Sequence, residues 1–526
     1  MTTVGRICLV GTVAAPLLGA GAMALSRARR QQGARLSAGL HWIGVALAGV
    51  LVVLVAIHGT IAIGVHSGRS VIIGLSADHL TVTLIALVLG IGAIVQSFSV
   101  RYLRTDPRSS RFVTGAGVLV ASMTVVAAST TLAGLLTGWV LASIGFLAIV
   151  GYRPDLPGVR PSTRRTAVAF LIGDGALVVA TVIVSLRVGN ITLVGPTSLS
   201  HVSDRLGGAG TVVALLVVVA ALARCAQGPF GRWLPGTVAA PTPVSALLHA
   251  GFVNGGGILL IRTGAIASSS AVAMVVAFGV AAGTAVVATA IMAQRSDVKS
   301  ELAYSTMGQM GFMVAECTVG AFGAGVVHLI GHALYKATLF LGSGAQMPRP
   351  GGVAPVAHSA RTFGRVITAG TAGLVSLGVV LAAPGISGHR ASGPLVLFVA
   401  ATAGVGAWSL WTKRHAGRAM LSACLIVSAS ALYGLIAAGL FAWVGPGLPR
   451  VGSAVLSPWL LLAVAAGGAG ATLVLRAPVV GIRLRMALID LGAPAATSTK
   501  RMGAPRPVPI RQSRPLVGAT PVRSVA

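Results

Sequence analysis

Apolar runs of about twenty residues alternate with short polar stretches along most of this chain. A helix of about that length crosses the hydrocarbon core of a bilayer. The pattern therefore predicts an all-α polytopic membrane fold with about 14–15 spanning helices. The predicted spans lie near residues 5–25, 39–59, 79–98, 112–130, 132–151, 167–186, 209–227, 243–262, 271–292, 301–318, 322–343, 366–388, 393–412, 417–441 and 454–475. The apolar pattern does not mark the turn between the fourth and fifth spans.

A proline-rich break follows the seventh predicted span. Proline removes a backbone donor and clashes with the preceding helical turn. Inside a membrane, the freed backbone groups are tolerated only where protein or a water-filled cavity satisfies them. The ionisable residues Arg224 and His249 flank the break, which points to an ion pathway. The residues that mark the break are Gly228, Pro229, Pro235, Pro241 and Pro243.

Composition agrees with a membrane protein and argues against other classes. Of the 526 residues, 55% are hydrophobic and only 9% are charged, against about 25% charged in soluble domains. The net charge of +30 is spread between apolar segments and is accompanied by few aromatic residues, so nucleic-acid binding is not indicated. The four cysteines stand alone, without the spacing of a disulfide framework or a zinc site.

The basic residues predict the orientation of the chain. They concentrate in the loops that follow odd-numbered spans, and the alternate loops carry few. Because cytoplasmic loops carry an excess of Lys and Arg, this bias places the N-terminus outside and the C-terminus in the cytoplasm. The expected location is the inner (plasma) membrane, with lipid as the surroundings. After about residue 476 the chain becomes basic and rich in proline, which predicts a cytoplasmic tail near anionic lipid or a docking segment for a partner.

Ionisable residues inside predicted spans are functional candidates, because a charge at mid-membrane costs a few kcal/mol. His328, His332 and Lys336 recur at every fourth position and so share one helical face. This row suits proton transfer, because histidine titrates near neutrality. Zinc is the alternative for the two histidines, but no third ligand is apparent and we expect no metal site. The full candidate proton pathway is Asp174, Arg224, His249, His328, His332 and Lys336.

A second break at Pro384 divides the twelfth span, five spans after the first break. Two interrupted helices in corresponding positions are typical of an internal inverted repeat, and five spans per half require opposite orientations. The expected organisation is N-terminal helices (1–110), a first repeat broken near 228–243 (111–265), a second repeat broken near 384–388 (266–415), C-terminal helices (416–476) and a basic tail (477–526).

Several long motifs resemble one superfamily, the proton-translocating antiporter-like subunits. It includes the L subunit of respiratory complex I, the A subunit of Mrp sodium/proton antiporters and the B subunit of the DAB inorganic-carbon transporter. The motifs that carry the resemblance are SADHLTVT (76–83), SFSVRYLR (97–104), WLPGTVAAPTPVSALLHA (233–250), SDVKSELAYSTMGQMGFM (296–313) and HLIGHALYKATLFLGSG (328–344). The resemblance implies two inverted half-channels along a hydrophilic axis. It also implies supporting roles for Asp297, Lys299 and Tyr304.

The chain departs from the family pattern mainly in its first half. Val140 follows Trp139 where the family usually has a glutamate, and Arg224 replaces the lysine of the seventh span. Gly236 stands where an acidic residue follows WLP, and the twelfth-span lysine motif is absent. Arginine stays protonated and cannot relay a proton by losing its own. We therefore expect Asp174 and Arg224 to form a fixed electrostatic pair, and a single working half-channel in the second half.

Three functional hypotheses remain open. The first is a proton-conducting subunit that energises bicarbonate or CO2 uptake. Its resemblance to the DAB-type subunit implies a cytoplasmic zinc partner related to carbonic anhydrases. The second is an L-type subunit of an NADH-quinone oxidoreductase or hydrogenase, or an Mrp-type cation/proton antiporter subunit, which would assemble with other membrane subunits of those complexes. The third is a membrane scaffold that has lost conduction. The chain has no redox, hydrolytic or cofactor motif, so it would be at most a translocase component.

Overall fold

The computed structural model describes residues 2–26, 29–67, 70–193, 202–295, 297–343, 419–449, 455–475, 484–488 and 491. All of them lie in one compact unit, Met1–Gly492. The predicted spans near 366–388 and 393–412, the break at Pro384 and most of the tail fall outside the described residues.

Helices make up nearly all of the described chain, which confirms the predicted helical membrane fold. The helices of the N-terminal part are α1 (Thr2–Leu25), α2 (Arg30–His58), α3 (His79–Tyr102), α4 (Ser109–Ala128), α5 (Leu132–Val150), α6 (Val159–Arg187), α7 (Val202–Leu206) and α8 (Ala209–Arg224). Those that follow are α9 (Trp233–Gly236), α10 (Thr242–Ala250), α11 (Gly255–Arg262), α12 (Gly264–Ala267), α13 (Ala271–Met292), α14 (Val298–Thr318), α15 (Phe322–Ser343), α16 (Ala419–Val444) and α17 (Leu460–Val474).

Nine segments of the described chain are long and apolar enough to cross a membrane. The shorter apolar helices near 209–224 and 460–471 fall below the usual spanning length. α14 is 21 residues long but carries several polar side chains, so it does not meet that apolar criterion. The chain is therefore a multi-pass membrane protein, and several of its less apolar helices pack inside it.

The break after α8 is longer than a simple kink. α8 ends at Arg224, and the Gly228–Pro229 peptide that follows is cis. Short helical turns connect it to α10, whose second residue is Pro243. Proline is tolerated there because the first turn of a helix has no intrahelical partner for its N–H. Pro229 and Pro241 thus bound the break, and Pro243 starts the next helix.

A second interruption, which the sequence pattern did not predict, divides the eighth predicted span. α10 and α11 are separated by a single 3-10 turn, Phe252–Asn254. The triple glycine that opens α11 lets its backbone approach α8 closely. A side-chain carbon at Gly256 would lie 2.4 Å from Cys225 Sγ and 2.5 Å from the Ala221 carbonyl oxygen. Only glycine fits at this contact.

A β-hairpin, also not predicted from the apolar pattern, covers one end of the helices. Strands β1 (Ile61–Ser67) and β2 (Ser70–Ala77) pair in antiparallel register. The α4–α5 turn extends this pairing, because Thr130 N–H donates to the Gly74 carbonyl at 2.9 Å. The turn between the fourth and fifth spans, which the apolar pattern does not mark, lies at Ser129–Thr131, where the Thr131 side chain caps α5. We call this end of the molecule the hairpin side.

The opposite end, here called the basic side, carries the α3–α4 and α5–α6 loops. Arg153 joins the two loops, because its guanidinium pairs with Asp106 at 3.0 Å and with Asp155 at 2.9 Å. Arg108 also pairs with Asp155. The hydrogen bond from Arg153 lowers the pKa of Asp155 below its usual value. Burial raises the pKa of Tyr152, whose hydroxyl donates to Asp106. The α3–α4 and α5–α6 loops, which follow odd-numbered predicted spans and were expected on one side of the membrane, are therefore in contact.

Candidate functional site

Arg224 is the last residue of α8 and is buried, with 1% of its surface exposed. Its Nη2 donates to three acceptors: Asp174 Oδ1 at 3.0 Å, Ser143 Oγ at 2.8 Å and the Trp139 carbonyl oxygen at 3.2 Å. A buried guanidinium requires such partners, because removing a charge from water costs several kcal/mol. α5, α6 and α8 all converge on this one side chain.

Aromatic rings complete the surroundings of Arg224. Its guanidinium carbon lies 3.8 Å from the centre of the Trp139 ring, 4.4 Å from that of Phe252 and 5.2 Å from that of Phe170. Ring faces attract cations, and more strongly where both are desolvated. We call Arg224, Asp174 and these three rings the arginine box. Its chemistry is that of a fixed positive charge, because a guanidinium does not release its proton under physiological conditions.

Asp174 belongs to the same box. Its Oδ1 accepts a second hydrogen bond, from Trp139 Nε1 at 2.7 Å. The tryptophan thus bonds to Asp174 through its ring nitrogen and to Arg224 through its carbonyl oxygen. The carboxylate that pairs with Arg224 is therefore on α6. On α5, Val140 occupies the position where the family usually has a glutamate.

His249 lies on the other side of the break, buried at the end of α10. Its ring stacks on Phe340 with centroids 4.4 Å apart, and its Nδ1 lies 3.1 Å from Thr306 Oγ1. The Thr306 hydroxyl donates to the Leu302 carbonyl oxygen at 2.9 Å. Because that hydroxyl hydrogen is already used, Nδ1 of His249 acts as the donor in this pair.

Lys336 joins the same chain of hydrogen bonds from α15. It has no exposed surface, and its Nζ donates to the Leu302 carbonyl oxygen at 3.2 Å. One carbonyl therefore accepts from both the lysine and the threonine that bonds His249. We call His249, Thr306, Leu302 and Lys336 the relay. The Leu302 carbonyl only accepts hydrogen bonds and does not itself pass a proton, so the relay holds Lys336 and His249 in place on the same turn of α14. A proton would cross between them through a bridging water or a side-chain movement.

His332, one turn before Lys336, contacts the second interruption. Its Nδ1 lies 3.2 Å from Asn254 Oδ1, and the Asn254 amide donates to the Ala250 carbonyl oxygen at 2.8 Å. Its Nε2 has no partner among the described residues. His332 is therefore held beside the gap between α10 and α11 with one ring nitrogen still available.

His328 occupies the hairpin-side end of the α15 row. Its Nδ1 lies 2.9 Å from Glu316 Oε2, and its Nε2 lies 2.9 Å from Gln309 Oε1. The His328 and His332 ring centroids are 6.4 Å apart, which is too far for a direct hydrogen bond. A proton would pass between them through a ring rotation or a bridging water.

The three supporting residues predicted from sequence lie near the basic side. Asp297 is exposed and caps α14, accepting from Ser300 N–H at 2.8 Å. Lys299 Nζ donates to the Ala240 carbonyl oxygen at 3.0 Å and so ties α14 to the break. The Tyr304 ring lies 5.1 Å from the guanidinium of Arg295. These contacts position α14, and Asp297 does not reach the buried row.

Sequence reasoning missed four polar side chains that the structure places in contact with the histidines. They are Asn254, Thr306, Gln309 and Glu316. The sequence shows Glu316 as an acid that ends the tenth predicted span near the outer surface, but the predicted pathway did not include it, whereas the other three resemble ordinary polar positions. Within the described chain, no group of three or more His, Cys, Asp or Glu side chains is arranged to hold a metal ion. His328 and His332 contact oxygens of other residues.

Two family models match the chain. Residues 129–358 match the family described as NADH:quinone oxidoreductase/Mrp antiporter, TM. Residues 66–113 match the N-terminal region of complex I chain 5, and together the two matches cover just over half of the chain.

Known proteins show the same relationship. The probable inorganic carbon transporter subunit DabB1 of Halothiobacillus neapolitanus is 36% identical over 60% of this chain and 58% of the relative. NADH-quinone oxidoreductase subunit L of Mycobacterium tuberculosis is 30% identical over 53% of this chain and 44% of the relative. The chain thus covers less than two thirds of either relative.

A solved structure shares the fold. The structure of the Mrp complex from Dietzia sp. superposes with a TM-score of 0.61 at 24% identity, over 92% of this chain and 59% of that chain. At this identity the likeness concerns the fold. On its motifs, its helical membrane architecture and these matches, the chain belongs to the superfamily of antiporter-like membrane subunits shared by NADH:quinone oxidoreductases and Mrp antiporters.

Proposed function

We propose that this chain is a proton-conducting membrane subunit whose working path runs along the α15 row, His328, His332 and Lys336, to His249. The observation that carries the proposal is the buried Lys336, bonded to the same carbonyl oxygen as the threonine that contacts His249. A buried lysine is costly and rare, and in membrane proteins it is typical of ion pathways. A polar ladder bonded across helices is the structural alternative.

The arginine box supports a single working half-channel. Arg224 has three acceptors and three aromatic rings around it, so its charge is held in place. A proton path needs groups that accept and release protons in turn, which a guanidinium does not do. The box therefore sets the electric field beside the break, and His249, His328, His332 and Lys336 handle the proton.

The cargo we propose is inorganic carbon. The support is the 36% identity with the probable inorganic carbon transporter subunit DabB1 of Halothiobacillus neapolitanus. In this proposal, inward proton flow drives bicarbonate or CO2 capture by a cytoplasmic zinc-containing partner related to carbonic anhydrases. A proton-pumping role beside redox subunits is the second candidate, favoured by the similarity to subunit L.

The arrangement in the membrane belongs to the same proposal. We place the basic side in the cytoplasm of a cell with an inner (plasma) membrane, because the basic residues gather there. The halves 111–265 and 266–415 would form the inverted repeat, with helix breaks near 228–243 and 384–388.

Proton flux in liposomes tests the proposal. The full chain, purified with the subunits that accompany it, is reconstituted with a pH-sensitive dye inside. We expect Lys336→Ala to lower flux at least about tenfold, as is typical for loss of a proton-transfer group. Lys336→Arg keeps the charge but does not release a proton, and should be nearly as impaired. Thr338→Ala, an exposed position on the same helix, is the matched control.

Two results would count against the proposal. Unchanged flux in Lys336→Ala would remove the lysine from the path, and absence of flux in every preparation would favour a scaffold. Uptake of labelled bicarbonate by the same liposomes, driven by an imposed proton gradient, separates the inorganic-carbon role from the redox-coupled one.

A further inference from the structure

Glu316 is a buried acid that the proton path proposed above does not use. It lies in the last turn of α14 with 2% of its surface exposed. Its Oε2 is 2.9 Å from Nδ1 of His328. A carboxylate removed from water costs several kcal/mol, and a buried ion pair is weak evidence of net stability. A neutral side chain would end this helix at lower cost, so the acid calls for another explanation.

The position of Glu316 relative to the two sides is fixed by the course of the chain. α11 ends at the hairpin side, where Arg262 bonds to the Ser129 carbonyl oxygen beside the hairpin. α13 then runs to the basic side and α14 returns, so Thr318 and the turn into α15 lie at the hairpin side. Glu316 is two residues before Thr318, ahead of His328 in the row.

The partners of His328 connect Glu316 to the row. One ring nitrogen faces the carboxylate and the other faces the amide oxygen of Gln309 at 2.9 Å. Two acceptors on opposite nitrogens suit an imidazole that receives a proton on one side while holding one on the other. Gln309 cannot itself donate through that oxygen, so the exchangeable group in contact with the ring is Glu316.

We propose that Glu316 is a proton-carrying residue that exchanges protons between the hairpin side and His328. The protonated carboxyl loses its O–H bond as an N–H bond forms at Nδ1 of His328, which leaves a carboxylate and an imidazolium. No electron is transferred, and the carboxylate is reprotonated from the hairpin side. The assignment rests on the proposed proton flux and adds one residue to its path.

Conservative substitutions test this role in the reconstituted complex described above. Glu316→Gln keeps an oxygen that can accept from Nδ1 but cannot carry a proton, whereas Glu316→Asp keeps the acid on a shorter side chain. We expect flux to fall at least about tenfold in Glu316→Gln and only severalfold in Glu316→Asp. Asp204→Asn, at an exposed acid on the short helix α7, is the matched control, and its flux should be unchanged.

The relative proton flux of Glu316→Gln and Glu316→Asp decides whether Glu316 carries a proton. If the pair is merely structural, Glu316→Gln should match or exceed Glu316→Asp, and that result overturns the inference. If Glu316→Gln does not assemble, Glu316→Ala takes its place, because wild-type flux with no carboxyl group at this position would show that the proton does not pass here. Absence of flux in the wild-type complex would instead overturn the proposed function.

Discussion

Arg224 stands where the family usually has a lysine, and this difference changes what the site can do with a proton. A lysine at the end of α8 would place a single ammonium where the guanidinium now reaches Asp174, Ser143 and the Trp139 carbonyl. The planar group also contacts three aromatic rings, which suit it better than a compact ammonium. The side chain is therefore adapted to holding a charge still.

Replacing Arg224 should affect stability more than conduction. Arg224→Ala leaves the partly buried Asp174 without its cation and empties the space between the three rings, and we expect it to lower the free energy of unfolding by about 3–5 kcal/mol. Arg224→Lys keeps the charge but loses bonds, and should cost roughly 1–3 kcal/mol. Thermal unfolding of the purified protein measures both. Proton flux in folded Arg224→Lys should stay close to wild type, and a clear rise would show that the first half conducts once its cation can titrate.

The sequence predicted some of the ionisable residues that lie inside the fold, left out the buried Arg262 and Glu316, and did not predict how these residues connect. His328, His332 and Lys336 share a face because of their four-residue spacing, and periodicity alone establishes that. The bond from Thr306 to the Leu302 carbonyl joins neighbouring turns of α14, and its use by His249 depends on tertiary packing. Asn254 becomes a partner of His332 only because α10 and α11 separate there. Such contacts leave no pattern in the sequence.

At the scale of elements, the lengths of the apolar runs predicted the helices well. They did not predict the β-hairpin or the interruption between α10 and α11. The boundaries of α3, α13 and α15 fall within a few residues of the predicted spans. The apolar pattern did not predict the hairpin because its strands, Ile61–Ser67 and Ser70–Ala77, are short and follow directly on a spanning helix. The interruption after Ala250 escaped because it contains no proline and glycine alone is an ambiguous signal.

The packing of α11 on α8 gives a prediction at this scale. A methyl group at Gly256 would collide with the Ala221 backbone, which cannot yield as a flexible side chain can. We expect Gly256→Ala to lower the free energy of unfolding by about 1–3 kcal/mol and to displace the gap that His332 contacts. Thermal unfolding tests this. The control is Gly279→Ala on α13, where a methyl meets nothing within 4 Å; there the change should be neutral or slightly stabilising, and equal losses at both sites would contradict the packing argument.

The whole molecule has two chemically distinct ends. Paired strands and the α4–α5 turn close the hairpin side, whereas arginines and aspartates from two loops meet at the basic side. The described chain alternates between these ends from helix to helix. The relay lies between them, so the orientation of the molecule determines which end of the proposed proton path faces the cytoplasm.

Labelling of single cysteines tests that orientation. Arg104→Cys on the basic side and Arg205→Cys on the hairpin side both replace exposed residues. In intact cells, a membrane-impermeant maleimide should modify the cysteine at 205 and leave the one at 104 unmodified until the cells are opened. The natural Cys8, Cys225 and Cys317 are buried and should give little background, and Cys424 is replaced by serine in the parent protein and in both variants. The reverse pattern would invert the proposed topology.

The gap between α10 and α11 has an electrical consequence. Each helix end carries roughly half an elementary charge, negative at the C-terminus and positive at the N-terminus. In an unbroken helix these partial charges would appear only at the two membrane surfaces. Here the negative end of α10 lies beside His249 and the positive end of α11 lies beside Asn254, inside the protein. The backbone groups that the 3-10 turn leaves unpaired therefore favour a positive charge at His249 over one beside Asn254, and no single side-chain substitution removes that difference while the turn persists.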